Sequence, residues 1–143
     1  MCNMLKPRYE IFDHTADAGI RIFAPTLAEL LEPAAEGLYA VIGETAIGAR
    51  SRRVSFDLSG SDAALLLRDY LAELLFLFEH EGVVIRTPLV STFDAARLAA
   101  DADAFRVDVK RSVFLREVKA ITYHELEIRS VPGGVEATVI VDI

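Results

Sequence analysis

Two helical patterns within the first 81 residues, then a nearly unbroken series of strand patterns to the end, predict an α+β domain with its helices on one face of a mostly antiparallel sheet. The third observation is the supply of core residues: 52% of positions are hydrophobic and 26% are charged. That balance excludes a disordered chain, which combines few apolar residues with a large net charge. At 143 residues, the length suits one domain spanning 1–143.

The elements follow in order. Residues 9–12 form a short candidate strand. The polar run Asp13-His14-Thr15-Ala16-Asp17 separates it from residues 18–24, where Ile20 and Ile22 alternate with Arg21 and Phe23. That period of two marks a strand, and Pro25 ends it. Thr26 and Glu29 have capping-box spacing, and Leu27, Leu30, Leu31, Ala34, Leu38 and Val41 recur at helical spacing. Pro33 inside this pattern predicts a kink or a shifted start. Gly43 predicts the stop. Val54, Phe56 and Leu58 mark a strand over 52–58. Gly60 makes the turn, and Ser61 is the expected N-cap of a second helix, with Asp62 near its positive end. This helix, ending near Gly82, is predicted to be the longest, the most apolar and the central buried element. Strands follow at 83–85, 89–93, 97–103, 105–109, 117–129 and 135–143, with Pro132-Gly133-Gly134 as a turn before the last.

Charge narrows the function classes. There are 15 basic and 22 acidic residues, for a net charge of −7. Phosphate contacts supply most nucleic-acid affinity, so an acidic chain with only Arg50, Arg52, Arg53 and Lys110, Arg111 as basic clusters predicts no stable direct nucleic-acid binding. The acidic balance suits a basic partner surface or a bound cation, and it also suits solubility alone. The single cysteine, Cys2, allows no intrachain disulfide and no thiolate zinc site. The first ten residues show no secretory h-region and no apolar run approaches membrane-span length, so a cytoplasmic location without a membrane role is expected.

Familiar catalytic motifs are missing: no phosphate loop followed by Lys, no dinucleotide fingerprint and no G-x-S-x-G elbow. The three histidines, His14, His80 and His124, lack the i, i+4 spacing of helical zinc sites. Three segments stand apart from the core pattern. In Asp13-His14-Thr15-Ala16-Asp17, two carboxylates could converge through a turn, or simply build that turn. In Glu117-Val118-Lys119-Ala120-Ile121-Thr122-Tyr123-His124, strand alternation places Val118, Ala120, Thr122 and His124 on one face and Lys119, Ile121 and Tyr123 on the other. Lys119 could serve function or snorkel at the surface. In the last segment, Asp142 interrupts an apolar strand just before the final Ile143; a buried Asp needs a cation or a raised pKa, and a frayed end would leave it in water.

Taken together and in this order, the three segments resemble the archease family. The likeness rests on Tyr9-Glu10, the Asp13–Asp17 run, the Glu117–His124 run and Asp142-Ile143, with residues 27–31 and 71–76 similar to the family's two helices. Archeases assist a GTP-dependent RNA-splicing ligase that joins a phosphate or cyclic-phosphate RNA end to a 5′-hydroxyl end. The resemblance therefore implies a non-enzymatic accessory role that promotes guanylylation of the ligase and restores its multiple turnover. It implies a divalent-cation site, with calcium as the expected ion and Asp17, Asp142 and the terminal carboxylate of Ile143 as ligands. Lys119 lies in the most distinctive late motif and is the residue expected to act toward the ligase. The stretch from Asp101 to Phe114 stands where the family has a glycine-containing turn. Two other classes compete with this reading: a metal-dependent enzyme using Asp13, His14 and Asp17, and a general protein chaperone.

Overall fold

In a computed structural model, which describes residues 3–14 and 16–143, the chain forms two α-helices and ten strands. Cys2 and Thr15 lie outside the described residues. The strands are β1 (Arg8–His14), β2 (Asp17–Ala24), β3 (Gly43–Glu44), β4 (Ile47–Ser59), β5 (Val83–Phe93), β6 (Arg97–Val107), β7 (Val113–Phe114), β8 (Ala120–Ile121), β9 (Glu127–Val131) and β10 (Gly134–Asp142). The helices are α1 (Leu31–Ile42) and α2 (Ala63–Glu81). Every strand pairing is antiparallel, as the α+β prediction requires.

The strands divide among sheets. A five-stranded sheet runs β1-β2-β10-β8, with β9 also on β10; β4-β6-β5 make a second sheet, and β3-β7 a short ribbon. Both helices touch both large sheets: α1 packs on β1, β2 and β5, and α2 on β4, β5, β6, β8 and β9. The core gathers Ile20, Ile22, Leu38, Leu71, Leu74, Ile85, Leu98 and Val139, all essentially inaccessible. Helix α1 reaches β2 closely because residue 37 is glycine. A Cβ there would lie 2.6 Å from Ile20 Cγ2, inside contact distance.

Local signals set the helix ends. Thr26 and Glu29 make half of the expected box: the Glu29 amide donates to Thr26 Oγ1 at 3.3 Å, but the Glu29 carboxylate accepts from that hydroxyl, at 3.1 Å, and not from the Thr26 amide. A 3-10 turn, Ala28–Leu30, follows before α1 begins at Leu31. Pro33 thus falls in the first turn of α1, where its missing N–H costs no helical bond, so it shifts the start without kinking the helix. The N-cap of α2 is Asp62, not Ser61; its carboxylate accepts from the Ala64 and Leu65 amides at 2.7 and 3.2 Å. Gly82 closes α2 in the left-handed region, at φ 65°.

Four expectations are corrected. Helix α2 is the longer helix, but α1 is the more deeply buried, with nine of its twelve residues in the core against seven of nineteen. The wide stripe of α2 includes exposed Leu65 and Phe76. The strands foreseen at 83–85 and 89–93 are one strand, irregular between Arg86 and Leu89, where Thr87 has φ 51° and Pro88 follows. The strands foreseen at 97–103 and 105–109 are likewise one strand, β6, which runs unbroken to Val107 past irregularities in its partners β4 and β5, and the chain turns only afterwards, at Val109–Arg111. Conversely, the predicted strand over 117–129 breaks up. Only Ala120–Ile121 and Glu127–Val131 pair, because Val118 and Ile121 both point into the core and the intervening chain cannot alternate.

The arginines of β4 are spoken for. Arg50 and Arg53 reach Asp103 at 3.0 and 3.4 Å, and Arg52 reaches Glu81 at 2.8 Å. The hydrogen bond from Arg50 leads the effects that hold the Asp103 carboxyl below its ordinary range, with Thr87 and Arg53 assisting. A basic cluster neutralised in this way offers little to a phosphate backbone. Among the described residues, no helix is long and apolar enough to cross a membrane.

Candidate functional site

The conspicuous chemistry collects at one end of the five-stranded sheet. The β1–β2 register pairs His14 with Asp17 across a tight turn in which Ala16 has φ 61°. The β2–β10 register pairs Asp17 with Asp142, and the β10–β8 register pairs Asp142 with Ala120. The Lys119 amide donates to the Asp142 carbonyl at 2.7 Å. Three segments remote in sequence, the early hairpin, residues 119–120 and Asp142, are thereby joined through the backbone ladder.

Strand alternation decides which side chains meet. Residues 18, 20 and 22 of β2 and residues 137, 139 and 141 of β10 are buried against the helices, so Asp17 and Asp142 share the opposite face of the sheet. Residues directly across an antiparallel pair have their Cβ atoms about 5 Å apart, and like charges there repel. Among the described residues, the one ion pair of Asp17 is with His14, whose Nδ1 lies 3.7 Å from Asp17 Oδ2. No lysine or arginine among them pairs with Asp17 or Asp142. Two half-buried carboxylates on one face without a lysine or arginine partner among the described residues form a donor set that fits a hard divalent cation. The half-buried Ile143 packs its side chain against the core. That anchors the backbone immediately after Asp142.

Asp13 does not join them. It pairs with Ala18, which puts it on the face opposite Asp17, so of the two readings left open by the sequence, the two carboxylates flank the turn and do not converge. The pleat is the reason: the two strands pair in register, so of Asp13 and His14 only His14 shares the face of Asp17. The enzyme reading built on Asp13, His14 and Asp17 therefore lacks its trio.

Lys119 is exposed at the same sheet end, directly before β8, and forms no ion pair among the described residues. Buried Val118 and Ile121 flank it and fix the backbone beneath it. The following loop is also held. Thr122 donates through its amide and its hydroxyl to the Ile140 carbonyl at 3.0 and 2.8 Å. Arg68 of α2 donates to the Ile121 carbonyl at 2.9 Å and lies over the Tyr123 ring, 4.3 Å from its centre. This clamp brings His124 and Glu125 beside His14, a meeting that sequence spacing does not reveal because one partner sits on a strand and the others on an irregular loop. Farther round the molecule, an apolar groove of about 530 Å³ lies between the end of α1, α2 and β7, lined by Ile42, Leu75, Phe78, Phe114, Leu115 and Val118.

Residues 9–143 match the archease protein family (MTH1598/TM1083). The protein archease of Methanosarcina barkeri is 37% identical over 141 residues, covering 95% of this chain and 96% of that protein. Among solved structures, Methanobacterium thermoautotrophicum protein 1598 superposes with a TM-score of 0.74 at 30% identity, covering 94% of this chain and 98% of that one. An archease from Thermotoga maritima, described as a possible chaperone, gives 0.68 at 18% identity with full coverage of both chains, a likeness of fold. A family match running from β1 to the last residue, together with relatives similar along nearly their whole length, makes this chain a member of the archease family.

Proposed function

We propose that this archease is a cytoplasmic accessory protein that activates a GTP-dependent RNA-splicing ligase, promoting its guanylylation and multiple turnover while making no bond itself. The observation that carries the reading is the gathering of Asp17, Asp142 and Lys119 at one sheet end in a chain of this family. Asp17, Asp142 and the main-chain carboxyl group of Ile143 are the proposed calcium ligands. Calcium there supplies positive charge that cancels the repulsion between the facing carboxylates and ties β10 to the β1–β2 hairpin. Lys119 presents a point charge suited to a phosphate of the guanylate or the RNA.

The test is reconstitution. Purified protein, inert on RNA alone, should raise ligase guanylylation and convert single turnover to multiple turnover. Lys119→Ala should lower that activation with an unchanged thermal midpoint. Full activation by the variant removes Lys119 from the proposal, and no effect of the wild-type chain on a GTP-dependent ligase removes the proposal itself. Exposed Phe114 and Leu115 at the groove favour a second reading, a general chaperone. Capture of many unrelated clients from extract, with no ligase enriched, would support that instead.

A further inference from the structure

We propose a second metal site, distinct from the carboxylate pair: His14, His124 and Glu125 form a three-ligand centre for a borderline transition cation such as zinc. Two of the three histidines in the chain meet here, from β1 and from the loop after β8, with ring centres 5.4 Å apart. Glu125 stands between them. One of its carboxylate oxygens lies 3.5 Å from His14 Nε2 and the other 3.8 Å from His124 Nε2. None of these approaches is a hydrogen bond, so the three groups converge without satisfying one another.

The ligand atoms lie within 4.8 Å of one another. A tetrahedral ion with ligands at about 2.1 Å needs them about 3.4 Å apart. Exposed His124 and Glu125 can close that difference by side-chain rotation, while His14, on a paired strand, stays fixed. Two further features support a site. Glu125 has φ 51°, a left-handed backbone that a non-glycine residue keeps only where its surroundings hold it. Among the described residues, His14 Nδ1 is buried without a hydrogen-bond partner. It faces Asp17 Oδ2 at 3.7 Å, the arrangement in which a carboxylate orients a metal-bound imidazole from behind and sets its tautomer.

Donor chemistry separates the two sites. Imidazole nitrogens suit zinc, cobalt or nickel, whereas the Asp17–Asp142 pair offers only oxygen and suits calcium. Two histidines and one glutamate leave a fourth position open to water or to an anionic group of a partner.

The experiment is zinc titration by calorimetry, with cobalt(II) absorption as a coordination probe, in the full chain carrying Cys2→Ser to remove its one thiolate. One equivalent of zinc should bind, and cobalt should show the intense visible bands of a four-coordinate centre. His124→Ala and Glu125→Gln alter exposed residues and should preserve the fold. Asp17→Asn, which removes an outer partner, should weaken zinc by about 10- to 100-fold, and each of the two ligand variants should weaken it by more. Asp142→Asn should leave zinc affinity unchanged. Absence of zinc binding, or equal affinity in His124→Ala and Glu125→Gln, overturns the site. Loss of zinc binding in Asp142→Asn also overturns it, because the ion would then occupy the carboxylate pair. The calcium response is read separately, so either site can fail without the other.

Discussion

Tyr39 and Tyr70 are both buried phenols, yet their hydroxyls have opposite circumstances. The Tyr39 hydroxyl accepts the Ile85 amide at 2.8 Å and so satisfies a donor on the outer strand β5. The Tyr70 hydroxyl has no partner among the described residues. Tyr39→Phe should therefore cost about 1–3 kcal/mol by stranding a buried amide, while Tyr70→Phe should be neutral or stabilising. Denaturant melts of the two variants check the contrast. Burial also pushes Tyr39 up from 10.0 to about 12, and pushes Tyr70 up as well. The unfolded chain then releases the Tyr39 proton first. Its share of stability is complete below pH 10 and is lost as pH rises from 10 through about 12. Tyr39→Phe should shallow that alkaline decline, which Tyr70 continues to feed.

At the same scale, facing Asp17 and Asp142 make a sign-changing prediction. In chelator, Asp142→Asn should raise stability by about 0.2–1 kcal/mol, the range for a cross-strand charge pair. With calcium in excess, the order should reverse, because the wild type gains a ligand bound only by its native state. Thermal melts in chelator and in calcium decide it. A variant that gains as much from calcium as the wild type removes Asp142 from the ligand set.

Among the elements, α2 offers the sharpest test, because two adjacent residues could both have capped it. Asp62 accepts the Ala64 and Leu65 amides, so Asp62→Ala should cost about 1 kcal/mol, whereas Ser61→Ala should leave the melt within experimental scatter. The consequence reaches the candidate site, since Arg68 on the same helix holds the Ile121 carbonyl and covers Tyr123. A loosened first turn of α2 should therefore show itself as faster amide exchange over residues 121–125. The β10 strand has a comparable reach: its pairing with β2, β8 and β9 links the early hairpin to the late motif.

For the whole molecule, the net charge of −7 bears on the encounter with the proposed partner, a ligase that must itself hold RNA. Complementary charge mainly speeds association, and salt screens it over a Debye length of about 10 Å at 0.1 M. Activation measured at limiting archease should weaken steadily across a salt series. A flat response would mean that the contact is carried by apolar surface such as the Phe114 groove.

The alternation of Ile20 with Arg21, the Thr26–Glu29 box, the glycine stops and the late run of strand formers determined the α+β class, because each depends on neighbours within a few residues. The ordered motifs also determined the family, and Asp17, Asp142 and Lys119 were legible as residues apart from the core pattern. What the sequence left open depends on register and on partners distant along the chain. A shift of one residue reverses every face of a strand, so the separation of Asp13 from Asp17 and the opposition of Asp17 to Asp142 followed only from the pairing of β1, β2 and β10. Alternation also misread residues 117–129, because simultaneous burial of Val118 and Ile121 against the helices outweighed strand propensity. His124 and Glu125 came to His14 through that same irregular loop, held by Arg68 and by the Ile140 carbonyl. No local spacing encodes such a meeting, since tertiary hydrogen bonds and core packing alone position it.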